Sequence, residues 1–412
     1  MKILHTVESY LPEKNGMSEV VRQISENLAM AGHDVTVATS YLHSRQSDII
    51  NGVKIKSFKL SGNSVCGIIG DPFEYMFFLK NSNFDVITNF AAQQWATDLC
   101  LNILSELKGK KVFVPTGFSG LLNPSYSSYF QKMKYWMKQY DMNVFLSNDF
   151  RDINFAEENG IKECRVIPNG ASRSEFKEKD SFKLRNHLNL SESCKVILHV
   201  GSYTGFKGHE QALRIFLRSR ISNVALIFVG DTFERGGGYR FVEKVHWFKD
   251  FSFQKKLNFG SGRTLINYFI HRLSNKLNKV FILNLDRQKL IATYQQSDFF
   301  LFPSMIECSP IVLFEAIASK TPFLVTNVGN AREIVEWTNG GKLLPTKVDK
   351  NGLSHAKINE SAKSLSSLFN DPLEISKMQE NGYSSWLNHF TWEEIALKYE
   401  QMYNELLTLN SI

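Results

Sequence analysis

The chain has 412 residues, a formal net charge of +7 at pH 7, 43% hydrophobic residues and 22% charged residues. It is too long for one ordinary domain, and its composition excludes an intrinsically disordered chain. The mild basic excess is compatible with an anionic substrate, a nucleic acid or an acidic membrane surface, and does not choose among them.

The cysteines favour neither a disulfide framework nor a zinc site, because they are odd in number, scattered and without a C-x-x-C pair. They are Cys66, Cys100, Cys164, Cys194 and Cys308. The apolar run at the N-terminus is too short for a signal peptide, and no stretch is long and apolar enough to span a bilayer. We therefore expect free thiols and a cytoplasmic protein.

The first part of the chain predicts a βαβ unit: a strand at 2–7, a helix at 18–31 with Ser18 as its cap, and a strand at 34–39. Further short apolar runs alternate with helical stretches, which favours a parallel sheet covered on both faces. These predicted strands lie at 84–88, 111–115, 143–147 and 165–168.

A polar, charged stretch after residues 167–170 indicates a linker, and a second α/β alternation follows it. Its predicted strands lie at 196–202, 224–230, 280–284, 298–304 and 321–328, and its helices at 210–218, 288–296 and 311–319. The pattern predicts two doubly wound domains, 1–170 and 171–390, which face a central cleft. A final helix, about 391–412, is expected to pack back on the first domain.

Residues 232–279 do not fit this alternation and are interpreted as an insertion. The segment is rich in arginine, lysine and aromatic residues. It is either a solvated helical excursion or a surface for an anionic acceptor or lipid head groups. Nucleic-acid binding is a poorer interpretation, because no known recognition pattern is present.

The most informative run is PSMIECSPIVLFEAIASKTPFLVTNVG, residues 303–329. A strand ends there, a tight loop carries Glu307, and Pro310 stands where the first turn of a helix begins, a position that suits proline. The amides of Ile311 and Val312 would then point out of the helix start, where the helix dipole favours a phosphate.

Glu315 lies about one turn further along the same helix. A carboxylate at Glu307 can accept from sugar hydroxyls, and one at Glu315 can take a ribose diol through paired hydrogen bonds. By spacing alone, however, two glutamates near a helix start are more often a cap and a solvated face, and that interpretation would be preferred on this evidence.

These residues resemble the signature of two glutamates separated by seven intervening residues in the group-1, family 4 type retaining glycosyltransferases of GT-B fold. Other stretches agree in order and spacing, sparing mainly residues 41–140 and the insertion. They are NGMSEVVRQISENLAMAGHDVTVATS at 15–40, Ser147-Asn148, Ile167-Pro168-Asn169-Gly170, Val200-Gly201-Ser202 through Lys207-Gly208, and Thr391-Trp392.

The resemblance implies that the first domain is the acceptor side and the second binds the nucleotide-sugar donor. By it, Glu307 contacts the transferred sugar, Glu315 the ribose, and Lys207 neutralises the diphosphate. Gly16 would let the backbone approach the phosphates. The donor site implied in full comprises Gly16, Gly201, Ser202, Lys207, Asn284, Glu307, Pro310, Ile311, Val312 and Glu315, with Asn284 near the base and Glu307 and Lys207 as the catalytic pair.

Two positions depart from the family pattern. Ser202 stands where the family often carries an arginine, with Arg173 and Arg235 as candidates to replace it. Thr116 or Gly117 stands where many members carry a histidine. The first departure weakens the expected stabilisation of the leaving group, and the second removes a side-chain group from the sugar side.

The reaction that the resemblance implies retains the anomeric configuration, with a UDP-sugar as favoured donor and a glycan or lipid-linked acceptor in bacterial surface polysaccharide or lipopolysaccharide biosynthesis. No metal or other cofactor is expected, since no D-x-D motif is present, and a peripheral contact with the inner membrane face stays open. The alternatives are a nucleotide-sugar epimerase or phosphorylase of the same fold, or a non-catalytic glycan-binding homologue.

Overall fold

The computed structural model describes residues 1–177, 181–230 and 278–408. The chain divides into two compact units: Met1–Ser172 with Asn388–Ile412 forms unit 1, and Arg173–Leu387 forms unit 2. The predicted insertion at 232–279 lies outside the described residues except for its last two positions, and Arg235 lies outside them too.

Unit 1 is built on an eight-stranded sheet. Its strand order is β10-β9-β8-β7-β1-β2-β4-β3, with every pair parallel except β3 and β4. A separate hairpin, β5–β6, stands beside it. The strands are β1 Lys2–Thr6, β2 Asp34–Ser40, β3 Ile49–Ile50, β4 Val53–Phe58, β5 Ser61–Asn63, β6 Gly67–Ile69, β7 Val86–Phe90, β8 Lys110–Val114, β9 Met142–Phe145 and β10 Cys164–Val166.

The helices of unit 1 accompany these strands: α1 Gly16–Met30, α2 Phe73–Asn81, α3 Trp95–Leu101, α4 Ser127–Trp136 and α5 Arg151–Glu158. The prediction that Ser18 caps α1 is wrong. Asn15 is the N-cap, and Ser18 is the third residue of the helix, whose hydroxyl accepts from the Asn15 N–H at 2.8 Å. The two side chains form a capping box, which satisfies two backbone donors at once.

Unit 2 is built on a six-stranded, fully parallel sheet of order β13-β12-β11-β14-β15-β16, with a small antiparallel pair, β17–β18. The strands are β11 Lys195–Val200, β12 Val224–Val229, β13 Lys279–Leu283, β14 Phe299–Phe302, β15 Phe323–Thr326, β16 Gly341–Leu344, β17 Thr346–Val348 and β18 Ser354–Ala356. The central strands β12, β14 and β15 are buried along their whole length.

The remaining helices begin in the stretch predicted as a linker, which in fact contains two short helices. The helices are α6 Arg173–Lys177, α7 Leu184–His187, α8 His209–Ser219, α9 Arg287–Gln295, α10 Ile311–Ala318, α11 Ala331–Thr338, α12 Ile358–Phe369, α13 Pro372–His389 and α14 Trp392–Thr408. None of the helices in the described ranges is long and apolar enough to cross a membrane.

The last helix, α14, belongs to unit 1 and packs on α1. The Tyr403 hydroxyl lies 2.7 Å from Thr88 Oγ1 and 3.2 Å from His5 Nε2, all buried. At the helix surface, Glu400 binds the ring of His33 at 2.8 Å. The strand β1 and the final helix are thereby joined in one core.

The two ends of unit 1 at which the chain leaves and returns are also tied together. Ala171 donates to the carbonyl of Phe390 at 3.0 Å and accepts from the Trp392 N–H at 3.2 Å. Gly170 has no room for a side chain there, since a Cβ would stand 2.4 Å from the Phe390 carbonyl oxygen. This close approach explains the glycine of the Ile-Pro-Asn-Gly motif.

Each sheet reverses its winding direction at one point. In unit 1 the reversal lies between β1 and β7, and in unit 2 between β11 and β14. Loops that leave the carboxyl ends of strands at such a point diverge and form a crevice, which is where open α/β sheets bind ligands. The fold class predicted from the sequence, with two doubly wound Rossmann-like domains, is confirmed.

Candidate functional site

The predicted donor residues of unit 2 surround its reversal point. Strand β11 ends at Val200 and pairs in parallel with β14, which ends at Phe302. The loops that follow the two strands meet: the Met305 N–H donates to the Phe206 carbonyl at 2.8 Å. Residues a hundred positions apart in the sequence therefore share one edge of the sheet.

Lys207 and Glu307 form an ion pair at this edge. Lys207 Nζ donates to Glu307 Oε1 at 2.7 Å and to Oε2 at 2.9 Å, and the Ser304 hydroxyl donates to Oε1 at 2.7 Å. The Glu307 side chain is 10% exposed and that of Lys207 29% exposed. The two predicted catalytic residues thus form one partly buried, charge-assisted contact.

Glycines shape the turn that carries Lys207. A Cβ on Gly201 would stand 3.0 Å from Lys207 Cβ, so the glycine leaves room for the lysine stem. Gly208 has φ +78°, and its Cβ would meet the Pro303 carbonyl oxygen at 1.9 Å. Between them, the Ser202 carbonyl accepts from the Thr204 N–H at 2.8 Å. Only glycine allows the two loops to approach so closely.

Two buried histidines lie next to this turn. Burial lowers the pKa of His199 to about 4 and that of His209 to about 2. His199 Nδ1 donates to the Leu301 carbonyl at 2.8 Å, and His209 Nε2 donates to the Gly201 carbonyl at 3.1 Å. Both rings are therefore neutral at pH 7, and they support the backbone of the turn.

The start of α10 presents the predicted phosphate-binding amides. Pro310 is the N-cap, so it precedes the first turn, and Ile311 and Val312 are the first, half-buried helical residues. The loop before them is fixed by Asn330, whose N–H donates to the Cys308 carbonyl at 2.8 Å. A helix start of this kind favours an anion.

The carboxylate of Glu315 is held by residues that the sequence analysis missed. Its side chain is 7% exposed, and Arg287 Nη1 donates to its Oε1 at 2.5 Å. Arg287 also binds Glu175, which lies on α6. No local pattern could have revealed this cluster, because its members come from three separate helices.

The remaining predicted residues are placed as follows. Asn284 is exposed and directly follows β13, which is an outermost strand of the sheet. Gly16 is the exposed first residue of α1 in unit 1, in a conformation that does not require positive φ. Arg173, a candidate for the missing arginine, donates to the Leu387 carbonyl at 3.2 Å.

Unit 1 gathers polar groups at its own reversal point, which the sequence analysis also missed. The Glu8 N–H donates to Gln94 Oε1 at 2.7 Å, and the Gly62 N–H donates to Glu8 Oε1 at 3.3 Å. Burial raises the pKa of Glu8 above its ordinary value. After β7, Ala91 and Gln93 adopt φ of +60° and +63°. Such strained backbone often accompanies a binding site.

The turn after β8, where the resemblance expects a histidine, is held by a buried carboxylate. Thr116, Gly117 and Phe118 all have positive φ, and the Gly117 N–H donates to Asp152 Oδ2 at 2.7 Å. Asp152 is 1% exposed, and burial raises the pKa of its carboxyl to about 6. Asp152 therefore shapes this turn in place of a side chain that faces a ligand.

Asp152 gives stability a defined pH dependence. The native protein keeps this proton up to about pH 6, whereas an unfolded aspartate loses it near pH 4. Between those values the native state binds more protons, so this group lowers the free energy of unfolding as pH rises, by about 3 kcal/mol in total.

We expect Asp152→Asn to remove this term, because an amide oxygen can still accept from Gly117 but does not ionise. Between pH 4 and pH 6.5, the free energy of unfolding of the variant should rise by about 2 kcal/mol relative to that of the wild type. Urea unfolding at half-unit pH intervals measures the difference. Parallel stability curves for the two proteins would contradict the assignment.

Within the described ranges, no group of three or more His, Cys, Asp or Glu side chains is arranged to hold a metal ion. Metal independence itself stays a prediction.

The two doubly wound units have the fold of the GT-B class. A solved structure of HepE from Anabaena, in complex with UDP and glucose, is similar with a TM-score of 0.69 and 16% identity and covers 100% of both chains. Two family models match as well: Glycosyl transferases group 1 over residues 180–384 and Glycosyltransferase Family 4 over residues 14–175. The chain belongs to the group-1, family 4 type glycosyltransferases.

Two curated relatives indicate the range of the family. N-acetyl-alpha-D-glucosaminyl L-malate synthase of Bacillus anthracis is 20% identical over 99% of this chain and 98% of its own length. Lipopolysaccharide 1,2-N-acetylglucosaminetransferase of Salmonella typhimurium is 28% identical over 26% of this chain and 29% of its own. The resemblance predicted from the sequence is confirmed at the level of the family, and glycosyltransferase activity is supported with it.

Proposed function

We propose that this protein transfers a sugar, with retention of configuration, from a UDP-sugar to a glycan or lipid-linked acceptor during synthesis of a bacterial surface polysaccharide or lipopolysaccharide. The observation that carries the proposal is the Lys207–Glu307 pair at the carboxyl edge of the unit 2 sheet. UDP is favoured because a neighbour of the same fold is a complex with UDP and glucose, and lipopolysaccharide because one relative is a lipopolysaccharide transferase.

The donor's phosphates would lie between Lys207 and the amides of Ile311 and Val312. As the bond to the sugar breaks, negative charge grows on the leaving diphosphate, and a cation and fixed amides stabilise that charge. Glu307 would turn from its lysine to the hydroxyls of the transferred sugar. The leaving phosphate would take the acceptor's proton, so this scheme requires no metal and no side-chain base.

The acceptor would bind unit 1 at the reversal point of its sheet. Glu8 and Gln94 offer polar groups there, and the strained residues after β7 shape the surface. Hydroxyl-rich acceptors suit such a surface because carboxylate and amide oxygens accept from hydroxyls. The enzyme would act in the cytoplasm, in peripheral contact with the inner face of the membrane where its acceptor is lipid-linked.

The test is calorimetric titration of UDP, GDP, ADP and their sugar derivatives into the wild type and Glu315→Ala, without added metal. We expect one nucleotide class to bind and its affinity to fall about 10- to 100-fold in the variant, since hydrogen bonds to a charged group are lost. Glu380→Ala is the matched control, because Glu380 is an exposed glutamate of unit 2 paired with Lys320.

If no nucleotide binds the wild type, the donor proposal fails and a non-catalytic glycan-binding role takes its place. Equal weakening in Glu315→Ala and Glu380→Ala would separate nucleotide binding from this site. Chelator-treated protein that no longer binds or turns over the donor would overturn metal independence alone. Conversion of the donor without an acceptor would favour an epimerase. Release of a sugar product that requires added phosphate would favour a phosphorylase.

A further inference from the structure

The carboxylate of Glu315 is held by one arginine that also holds a second carboxylate. Arg287 donates from Nη1 to Glu315 Oε1 at 2.5 Å, and from Nε and Nη2 to Glu175 Oε2 at 3.0 and 2.6 Å. A planar guanidinium can make these bonds together in a fixed geometry, whereas an ammonium cannot. Arg287 therefore contributes directly to where the Glu315 carboxylate lies.

Three helices lock this arginine in place. Arg287 is the first residue of α9, and α6, α9 and α10 pack against one another. The Phe176 ring lies 5.6 Å from the guanidinium carbon of Arg287, and Trp386 packs on the ring of Phe176. The cation is thus bound to a carboxylate on α6, a carboxylate on α10 and an aromatic face, which leaves it few alternative rotamers.

A buried tyrosine lies on the same helix as Arg287. Tyr294 lies seven residues after Arg287, two helical turns along, and therefore on the same face of α9. Its ring is fully buried, and burial followed by the charge of Glu315 raises the pKa of its phenol well above the ordinary value. The phenol keeps its proton next to the carboxylate and adds no second negative charge.

The cost of burying the Glu315 carboxylate explains why it needs a cation that holds it in place. A carboxylate with a 7% exposed side chain loses most of its hydration and is costly without a partner cation. A ribose presents two neighbouring hydroxyls, and a carboxylate accepts from both only when its plane is held at the right angle. A carboxylate free to rotate would bind a single hydroxyl equally well and would not distinguish ribose from deoxyribose.

We propose that Arg287 is a positioning residue that makes the donor site selective for ribonucleotides, by holding Glu315 in the orientation that accepts from both ribose hydroxyls. The inference rests on the proposed donor site. Glu175 acts one step further out, as the α6 carboxylate that anchors the guanidinium of Arg287. Neither Arg287 nor Glu175 touches the reacting atoms.

The experiment compares the dissociation constants of UDP, GDP and ADP with those of their 2′-deoxy counterparts by calorimetry. We expect the wild type to prefer the ribonucleotide by about tenfold or more, the usual effect of a hydrogen bond to a charged group. In Arg287→Ala and Arg287→Gln the preference should fall to about twofold or less. Arg287→Lys should recover affinity for both nucleotides through its charge but little of the preference.

Controls separate orientation from folding. Arg185→Ala removes a similar partly buried ion pair, with Asp298. This pair lies at the start of β14, at the amino end of the strand, whereas the proposed donor site lies at the carboxyl ends of the strands. The variant should leave the preference unchanged whatever it costs in stability. Glu175→Gln should lower the preference in the same direction as Arg287→Ala, and the double variant should be no worse than Arg287→Ala alone.

The outcomes distinguish a failure of the proposed donor site from a failure of the proposed role of Arg287. A wild type that binds no nucleotide overturns the donor site and this inference together. A wild type that binds nucleotides without preference for ribose, or Arg287 variants that bind and keep the full preference, leave the donor site standing and overturn the role of Arg287. Loss of preference in Arg185→Ala would identify the effect as general destabilisation.

Discussion

Lys207→Ala should lower the turnover of the donor by about 10² to 10³, the usual loss when one preorganised donor to a developing negative charge is removed. The effect should fall mainly on kcat, because the charge on the diphosphate grows as the bond to the sugar breaks. Ser202 stands where the family resemblance implies an arginine, so under the proposed mechanism we expect this lysine to supply a larger share of the stabilisation. The release of nucleoside diphosphate from the bound donor measures the rate.

The matched control is Lys195→Ala. Lys195 begins the strand β11 that leads to Lys207, and it pairs with Asp298 at 2.8 Å, but it is exposed and lies at the opposite edge of the sheet. Its removal should change turnover by less than about twofold, because the residue is remote from the proposed site and an exposed ion pair contributes little to stability. Equal rates for Lys207→Ala and wild type would show that the leaving group is stabilised elsewhere.

Gly208→Ala should destabilise the protein by about 3 kcal/mol. Positive φ costs a residue with a side chain about 1 kcal/mol, and the added Cβ would overlap the carbonyl of Pro303 at 1.9 Å. Relief of that overlap requires the loops that follow β11 and β14 to separate, at a further cost of about 2 kcal/mol. A lower temperature of unfolding, by about 6–12 °C, is the expected result.

Gly205→Ala is the control in the same turn. Gly205 has a similar φ of +88°, but an added Cβ would find no atom within 4 Å. Only the backbone cost remains, so the unfolding temperature should fall by about 2–4 °C. If the two alanine variants unfold at the same temperature, the contact with Pro303 does not constrain this turn.

The regular part of the fold was well predicted because its patterns are local. The predicted helix at 210–218 is observed as His209–Ser219, and the predicted strand at 224–230 as Val224–Val229. Apolar residues at helical spacing, and short continuous runs in buried parallel strands, reflect burial within a few residues of each position. Such signals survive whatever the rest of the chain does.

Most elements of the segment 41–140 were not predicted from the sequence, and this too has a physical reason. It contains a hairpin, Ser61–Asn63 with Gly67–Ile69, whose strands are too short to show an alternating pattern. Its helix Phe73–Asn81 carries aromatic residues on several sides, with Tyr75 and Leu79 buried and Phe73 and Phe77 exposed. Elements of this kind form only against neighbours that the local sequence does not specify.

Local patterns in the sequence were enough to predict the two α/β alternations and the glycines of the Lys207 turn, and the family resemblance pointed to Glu307 and Glu315. Which charged side chains pair with one another depends instead on the packing of the folded chain. Lys207 reaches Glu307 because β11 lies beside β14, and Arg287 reaches both Glu315 and Glu175 because three helices pack together. Pairings of this kind depend on strand order and helix packing across long sequence separations, and local propensity carries no information about either.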